Sequence, residues 1–363
     1  MLKILFLSSS LAQNGTEMFM MNVLRHIDRT KFHIDFCINS DERTLYRIEA
    51  ESYGCKVFVL PQRRKNPIKY AYKCFSFFNS HAHEYQVVHW NGGNLSSILC
   101  LVLSWAYRIP IRIVHAHSSS TIGKHNILLH KFHRYFLPII CNRYFACSSE
   151  ASAFFFPFIQ SVIIKNGIDI KKFDFNSVVR REVRNEFGIP ENCCVIGHVG
   201  RFDENKNQTF ILDVFVDFCR NNPNAYLILV GQGDTLESIK NKSIELGVDK
   251  RVLFLGLRND VNRILQALDC FIMPSKYEGL PFVLVEAQCS GLFCVVSDTI
   301  NRDAKLTKNV EFLSLNSDQH VWSNAINEAL KQFVRKSQSK ILAHEGYSIE
   351  DTVSYLEGIY EKR

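Results

Sequence analysis

The sequence is poorest in the features that mark export, membrane insertion and metal binding. None of its twelve cysteines forms a C-x-x-C pair; they are scattered from Cys37 to Cys294, mostly inside apolar runs. That spacing excludes a zinc ribbon and a disulfide framework and points to buried, reduced thiols in a cytosolic protein. The opening Met1-Leu-Lys-Ile-Leu-Phe-Leu is too short for the h-region of an export signal, which needs about 7 to 15 apolar residues, and reads as a buried first strand. The apolar stretch from Leu95 to Tyr107 falls well below the roughly 18 to 20 residues that cross a bilayer. Tandem repeats and low-complexity tracts are absent. So are zinc-finger spacing, an RNP-like motif and a compact recognition helix, which argues against a nucleic-acid partner.

What is present suits a two-domain enzyme. The chain has 363 residues, 47% of them hydrophobic and 22% charged, enough for two domains with a core each. The net charge of +7 is uneven: residues 1 to 180 hold 22 Lys+Arg against 11 Asp+Glu, and ten of the thirteen histidines. A basic first half beside a mildly acidic second half suggests that the first domain meets something anionic.

Short β-branched or aromatic runs alternate with amphipathic stretches. The first series comprises Ile4–Leu7, His33–Ile38, Lys56–Leu60, Val87–Trp90, Ile111–His115, Tyr144–Ala146 and Val162–Ile164. A second comprises Val195–Val199, Tyr226–Val230, Val252–Phe254, Cys270–Met273, Cys294–Val296 and Glu311–Leu313. The pattern predicts an α/β chain of βαβ units in two doubly wound, Rossmann-like parallel sheets, facing across a cleft lined by the ligand ends of the strands. The expected domains are 1–168, 169–346 and a terminal helix at 347–363 that packs back on the first domain. The join is expected as an irregular segment over Asp169–Arg184, where turn formers interrupt any clean period.

Two segments carry chemistry. In Pro274-Ser-Lys-Tyr-Glu278-Gly-Leu-Pro-Phe-Val-Leu-Val-Glu286, two carboxylates lie eight positions apart across a strand-to-helix turn. They can accept hydrogen bonds from sugar hydroxyls, while the backbone N–H groups at Gly279 and Leu280 form an anion cradle. A capping carboxylate beside a solvated helix residue is the alternative. In Gly200-Arg201-Phe-Asp-Glu-Asn-Lys206-Asn207, directly after a strand, Arg201 as a fork and Lys206 as a point charge can clamp a diphosphate; a solvated basic loop is the alternative. In the first domain, His115 and His117 share a face because they lie two apart at a strand end. His115 also fits a satisfied core histidine, and a zinc pair lacks a convincing third ligand.

Gly200-Arg201-x4-Lys206-Asn207, then Val230-Gly231-Gln-Gly233, then Pro274-Ser275-x2-Glu278-Gly279 with Glu286, together resemble the donor half of glycosyltransferase family 4, the retaining GT-B enzymes also found in bacterial capsular and exopolysaccharide synthesis. Lys165-Asn166-Gly167-Ile168-Asp169 resembles that family's junction signature, and Asn14-Gly15-Thr16-Glu17 its N-terminal glycine loop, although the family has two consecutive glycines where this chain has Asn14-Gly15. The resemblance implies that Arg201 and Lys206 hold the donor diphosphate, Glu286 the ribose and Glu278 the transferred sugar. Gly279 and Leu280 would contact the sugar or its phosphate, and the Gly15 loop the phosphates. His117 would support the reaction centre, so that His117, Glu278, Arg201 and Lys206 form the catalytic set. His115, Asn166, Gly231 and Arg258, the last near the base, are further candidates.

No D-x-D occurs, so cations and helix N-termini, with no metal and no other cofactor, are expected to neutralise the leaving diphosphate. The expected activity is retaining transfer of a hexose or N-acetylhexosamine from a nucleoside-diphosphate sugar, with UDP the expected nucleotide, to a cell-surface polysaccharide or lipid-linked acceptor. A nucleotide-sugar epimerase of the same fold, or a silent partner subunit, is the rival. Arg63-Arg64-Lys65 before an aromatic run, and the mixed basic and aromatic Lys124–Arg143 segment, suggest peripheral contact with an anionic leaflet at the inner face of the cell membrane; a solvated basic face over core positions is the alternative.

Overall fold

The structure, a computed structural model, describes residues 1–12, 14–121, 123–278 and 280–362. The chain divides into two units, one formed by Met1–Gly167 with the C-terminal segment from Gly346, the other by Ile168–Glu345. Both are built on parallel sheets.

The first sheet has seven strands, β1 (Leu2–Leu7), β2 (Phe32–Ile38), β3 (Val57–Val59), β4 (Val87–Gly92), β5 (Ile111–Ala116), β6 (Arg143–Ala146) and β7 (Val162–Ile163), ordered 3-2-1-4-5-6-7. The second has six, β8 (Val195–Val199), β9 (Tyr226–Val230), β10 (Val252–Phe254), β11 (Cys270–Met273), β12 (Phe293–Ser297) and β13 (Val310–Leu313), ordered 10-9-8-11-12-13. Central strands such as Leu227-Ile-Leu-Val and Cys270-Phe-Ile-Met are buried residue after residue. Continuous apolar runs of this kind are what a parallel sheet covered on both faces requires.

In each sheet the strand order reverses once, between β1 and β4 and between β8 and β11. Open α/β sheets bind ligands at the carboxyl ends of the strands at such a reversal. The Gly200–Asn207 segment leaves β8 and the Pro274–Pro281 segment leaves β11, so topology alone brings the two chemistry-bearing stretches of the second unit together.

One expectation fails. Asp169–Arg184 is not an irregular join but contains helices at Ile170–Phe173 and Ser177–Glu186. Its turn formers are helix caps: the Asp169 carboxylate accepts from the Lys172 amide at 2.9 Å, and Asn176 Oδ1 from the Val178 and Val179 amides at 2.9 and 3.2 Å. Arg180 and Arg184 then reach the Asp269 carboxylate at 2.6 and 2.7 Å, and Asp269 also accepts from the Val195 amide at 2.8 Å. This half-buried cluster of two arginines and one carboxylate ties the start of β8 to the start of β11. The C-terminal helix Ile349–Glu361, capped by Ser348, belongs to the first unit and buries Tyr360 completely.

Candidate functional site

In the second unit, the loop after β8 is shaped by Asp203, whose carboxylate accepts from the amides of Asn205 and Lys206 at 3.0 Å each. This aims the Lys206 ammonium at Glu278, with which it forms a close ion pair. Asn205 locks the two loops together: its side chain donates to the Tyr277 carbonyl at 2.9 Å and to Glu278 Oε1 at 3.2 Å, while its Oδ1 accepts from the Tyr277 amide at 3.0 Å. Glu278 also forms a parallel bridge with Ile300. Both partners of the pair are only 17% exposed.

Glu286 sits in the helix Phe282–Cys289, 8% exposed. Burial pushes its carboxyl up to about 7, against the pull of the Lys172 ammonium. Leu280 is half-buried before that helix, and Gly279 lies outside the described residues. Arg201 is not brought to Lys206's partner; it is 66% exposed and lies 3.6 Å from Asp234. Arg258 forks onto Asp260 with two contacts of 2.8 Å and reaches Glu186 at 3.6 Å, so its guanidinium is committed to carboxylates. Gly231 has a positive φ of 138°, and a Cβ there would lie 2.0 Å from the Gly200 carbonyl; at Gly233 it would lie 2.1 Å from that of Phe202. These glycines let the loop after β9 pack directly on the loop that carries Arg201 and Lys206.

In the first unit, His115 and His117 do share a face, with ring centroids 4.1 Å apart and Phe19 against both. His89, which the sequence did not single out, extends them: its Nε2 lies 3.3 Å from His115 Nδ1 and its Nδ1 2.8 Å from the Tyr360 hydroxyl. His117 Nε2 lies 3.1 Å from Asn91 Oδ1. Burial lowers His89 and His117 to about 3, and His115 well below its ordinary value, so all three rings are neutral. The second unit has a buried counterpart in His198, lowered to about 4 by burial, with Nδ1 2.9 Å from the Ile272 carbonyl.

Gly15 is the exposed first residue of the helix Gly15–His26, and the buried Glu17 accepts from the Ser10 hydroxyl at 2.8 Å. Asn166 Oδ1 is buried with no hydrogen-bond partner among the described residues. All twelve cysteines are free, and each is buried or half-buried.

The first unit also holds an apolar cavity of about 510 Å3 whose lining includes Ile98, Leu99, Val102, Trp105, Phe136 and Ile139, with Arg63 and His133 among its polar lining. Trp105, Phe136 and Ile139 are themselves 46%, 40% and 61% exposed. No described helix is long and apolar enough to cross a membrane.

Sequence reasoning missed His89, Asn91, Asp203 and Asn205. The available signal was a polar residue at every second position of an otherwise apolar strand, His89 and Asn91 in Val-Val-His-Trp-Asn.

The family model "Glycosyl transferases group 1" matches residues 179–342. The putative glycosyltransferase EpsF of Bacillus subtilis (strain 168) is 30% identical over 379 residues, covering 99% of this chain and 96% of that protein. An Escherichia coli protein named UDP-Gal:alpha-D-GlcNAc-diphosphoundecaprenol alpha-1,3-galactosyltransferase is 33% identical over 184 residues, 50% of this chain and 46% of that one. Among solved structures, Anabaena HepE in complex with UDP superposes with a TM-score of 0.78 at 20% identity, covering 100% of both chains.

Proposed function

Since the chain belongs to the group 1 glycosyltransferases, we propose that it transfers a hexose or N-acetylhexosamine, with retention and without a metal, from a UDP-sugar to a polysaccharide or lipid-linked acceptor. The observation that carries this reading is the Lys206–Glu278 pair at the strand-order reversal of the second unit. Donor binding replaces that internal pair: the diphosphate takes Lys206, and hydroxyls of the sugar donate to Glu278. Arg201, exposed and loosely held by Asp234, swings to the same diphosphate as a second cation. A lysine and an arginine supply the positive charge that a divalent ion supplies elsewhere. The ribose hydroxyls donate to the carboxylate of Glu286, which the fold keeps largely out of solvent. In the first unit, His117 contacts the transferring sugar. The bond between the sugar's anomeric carbon and the diphosphate oxygen breaks, the acceptor oxygen bonds to that carbon from the same face, and its proton passes to the departing diphosphate.

UDP is favoured by the HepE complex and the galactosyltransferase name; the latter also names a lipid-linked acceptor. The apolar cavity beside Arg63 in the first unit fits such an acceptor's hydrocarbon chain, with the neighbouring cations meeting phosphate at an anionic leaflet. The test incubates the purified protein with UDP-hexoses and a polyprenyl-diphosphate-linked sugar, with and without EDTA. UDP released only when acceptor is present, and unaffected by EDTA, supports the proposal. An altered sugar nucleotide means an epimerase, binding without turnover means a silent subunit, and EDTA-sensitive activity restored by manganese refutes metal independence.

A further inference from the structure

The buried polar cluster of the first unit has a direction, set by the His89 carbonyl at one end and the Tyr360 hydroxyl at the other. The Asn91 side-chain nitrogen donates to the His89 carbonyl at 3.0 Å, and a carbonyl has no proton to return. The Asn91 oxygen therefore faces His117 Nε2, 3.1 Å away, so that Nε2 carries the ring proton and Nδ1 keeps a lone pair. His115 is oriented alike. The Tyr360 hydroxyl meets only His89 Nδ1 among the described residues, 2.8 Å away, so it donates there and leaves the His89 ring proton on Nε2. His89 Nε2 then donates to His115 Nδ1 at 3.3 Å, which leaves the His115 ring proton on Nε2. Two ring nitrogens stay without a hydrogen-bond partner among the described residues, His115 Nε2 and His117 Nδ1. One is a donor and the other an acceptor, on rings 4.1 Å apart.

We propose that Tyr360, His89, His115 and Asn91 are positioning residues that hold His117 as the neutral Nε2–H tautomer, Asn91 through the hydrogen bond to Nε2 and the His115 ring, itself oriented by His89 and Tyr360, by packing against it. Burial works in the same direction, since it keeps every ring in the cluster uncharged. The consequence for turnover rests on the reading that His117 contacts the transferring sugar. Positive charge develops on a sugar ring as the leaving group departs, and an imidazolium beside it would oppose that charge. Neither neighbour would stabilise a second ring proton on His117: Asn91 is a neutral amide, and the His115 ring packed against it carries its own proton on Nε2.

The experiment is long-range proton–nitrogen NMR on the full-length protein labelled with 15N-histidine, the His117 signals identified by comparison with His117→Gln. The expected result at pH 7 is a protonated Nε2 and a bare Nδ1 on His89, His115 and His117. Asn91→Ala should move His117 toward a tautomer mixture. Tyr360→Phe should lower kcat roughly fivefold to tenfold with KM within about twofold of the parent, the loss of one buried hydrogen bond. A His117 protonated at Nδ1 in the parent overturns the proposal, as does Asn91→Ala with unchanged His117 signals. The parent spectrum decides even if a variant fails to fold. If the tautomers are as proposed, yet neither Asn91→Ala nor Tyr360→Phe changes kcat, the positioning role is overturned. If His117→Ala also leaves kcat unchanged, it is the placement of His117 at the sugar that has failed.

Discussion

The two units share a topology but fill their candidate sites with opposite kinds of polarity. At the reversal of the second sheet stands a charged pair, Lys206 and Glu278, with a carboxyl at Glu286 poised near 7. On the first sheet stands a stack of neutral imidazoles, each pushed away from protonation by burial. Local solvation explains the difference. Lys206 and Glu278 retain some exposure and neutralise each other, whereas the histidines lie among Phe6, Phe19 and Phe145 with no carboxylate against them among the described residues. A doubly wound unit thus offers the same geometric site twice, and the side chains behind it decide whether it works through charge or through hydrogen-bond direction.

The largest effect that would sharpen this contrast is expected at Lys206. Lys206→Ala removes a cation from the proposed leaving-group site and leaves Glu278 without its counter-ion, so kcat/KM should fall roughly a hundredfold to a thousandfold. Steady-state kinetics of Lys206→Ala with a fixed UDP-sugar measures it, and a fall below tenfold would deny the charged site its role.

Second comes the exposed charge of the first unit, which the proposed membrane contact uses. Neutralising Arg63, Arg64 and Lys65 together should weaken binding to phosphatidylglycerol vesicles about a hundredfold, at about 1 kcal/mol for each near-surface cation. Co-flotation at low salt reads this, and equal flotation of parent and variant would leave the basic face merely solvated.

The smallest expected effect is a pH dependence in the second unit. Glu286 has a folded-state pKa raised by burial from 4.5 to about 7. Its neutral form therefore favours the folded protein below 4.5, and that contribution is lost as pH rises through 7. Nucleotide binding runs the other way, because the ionised carboxylate accepts the ribose hydroxyls. UDP affinity should drop about tenfold from pH 8 to pH 6, and Glu286→Gln should flatten that dependence. Isothermal titration across this range checks both, and a parent affinity independent of pH would remove Glu286 from the nucleotide site.

Much of this architecture was legible in the residues. Val195–Val199, Tyr226–Val230, Val252–Phe254 and Cys270–Met273 read as strands and are strands at those bounds, because a central parallel strand buried on both faces must be apolar throughout. The segment from Asp169 to Arg184 misled, since Asp and Asn are turn formers and helix caps alike, and which role applies depends on the amides that follow. Arg201 and Arg258 show a second limit. Sequence marks an arginine as a candidate anion ligand, but Asp260 lies two residues from Arg258 and takes its whole fork, while Asp234 meets Arg201 from the loop after β9.

What the sequence by itself determined is the order of strands and helices, two parallel sheets, and two chemistry-bearing stretches at strand ends. These follow from hydrophobic period and turn chemistry, which are local. Only the tertiary structure decided that Lys206 pairs with Glu278, that Asn205 joins their loops, and that His89 and Tyr360 stand behind His115 and His117. Those partners lie 72 residues apart in the first case and 271 in the longest, and no local pattern encodes a hydrogen bond between strands or helices that the fold alone makes neighbours.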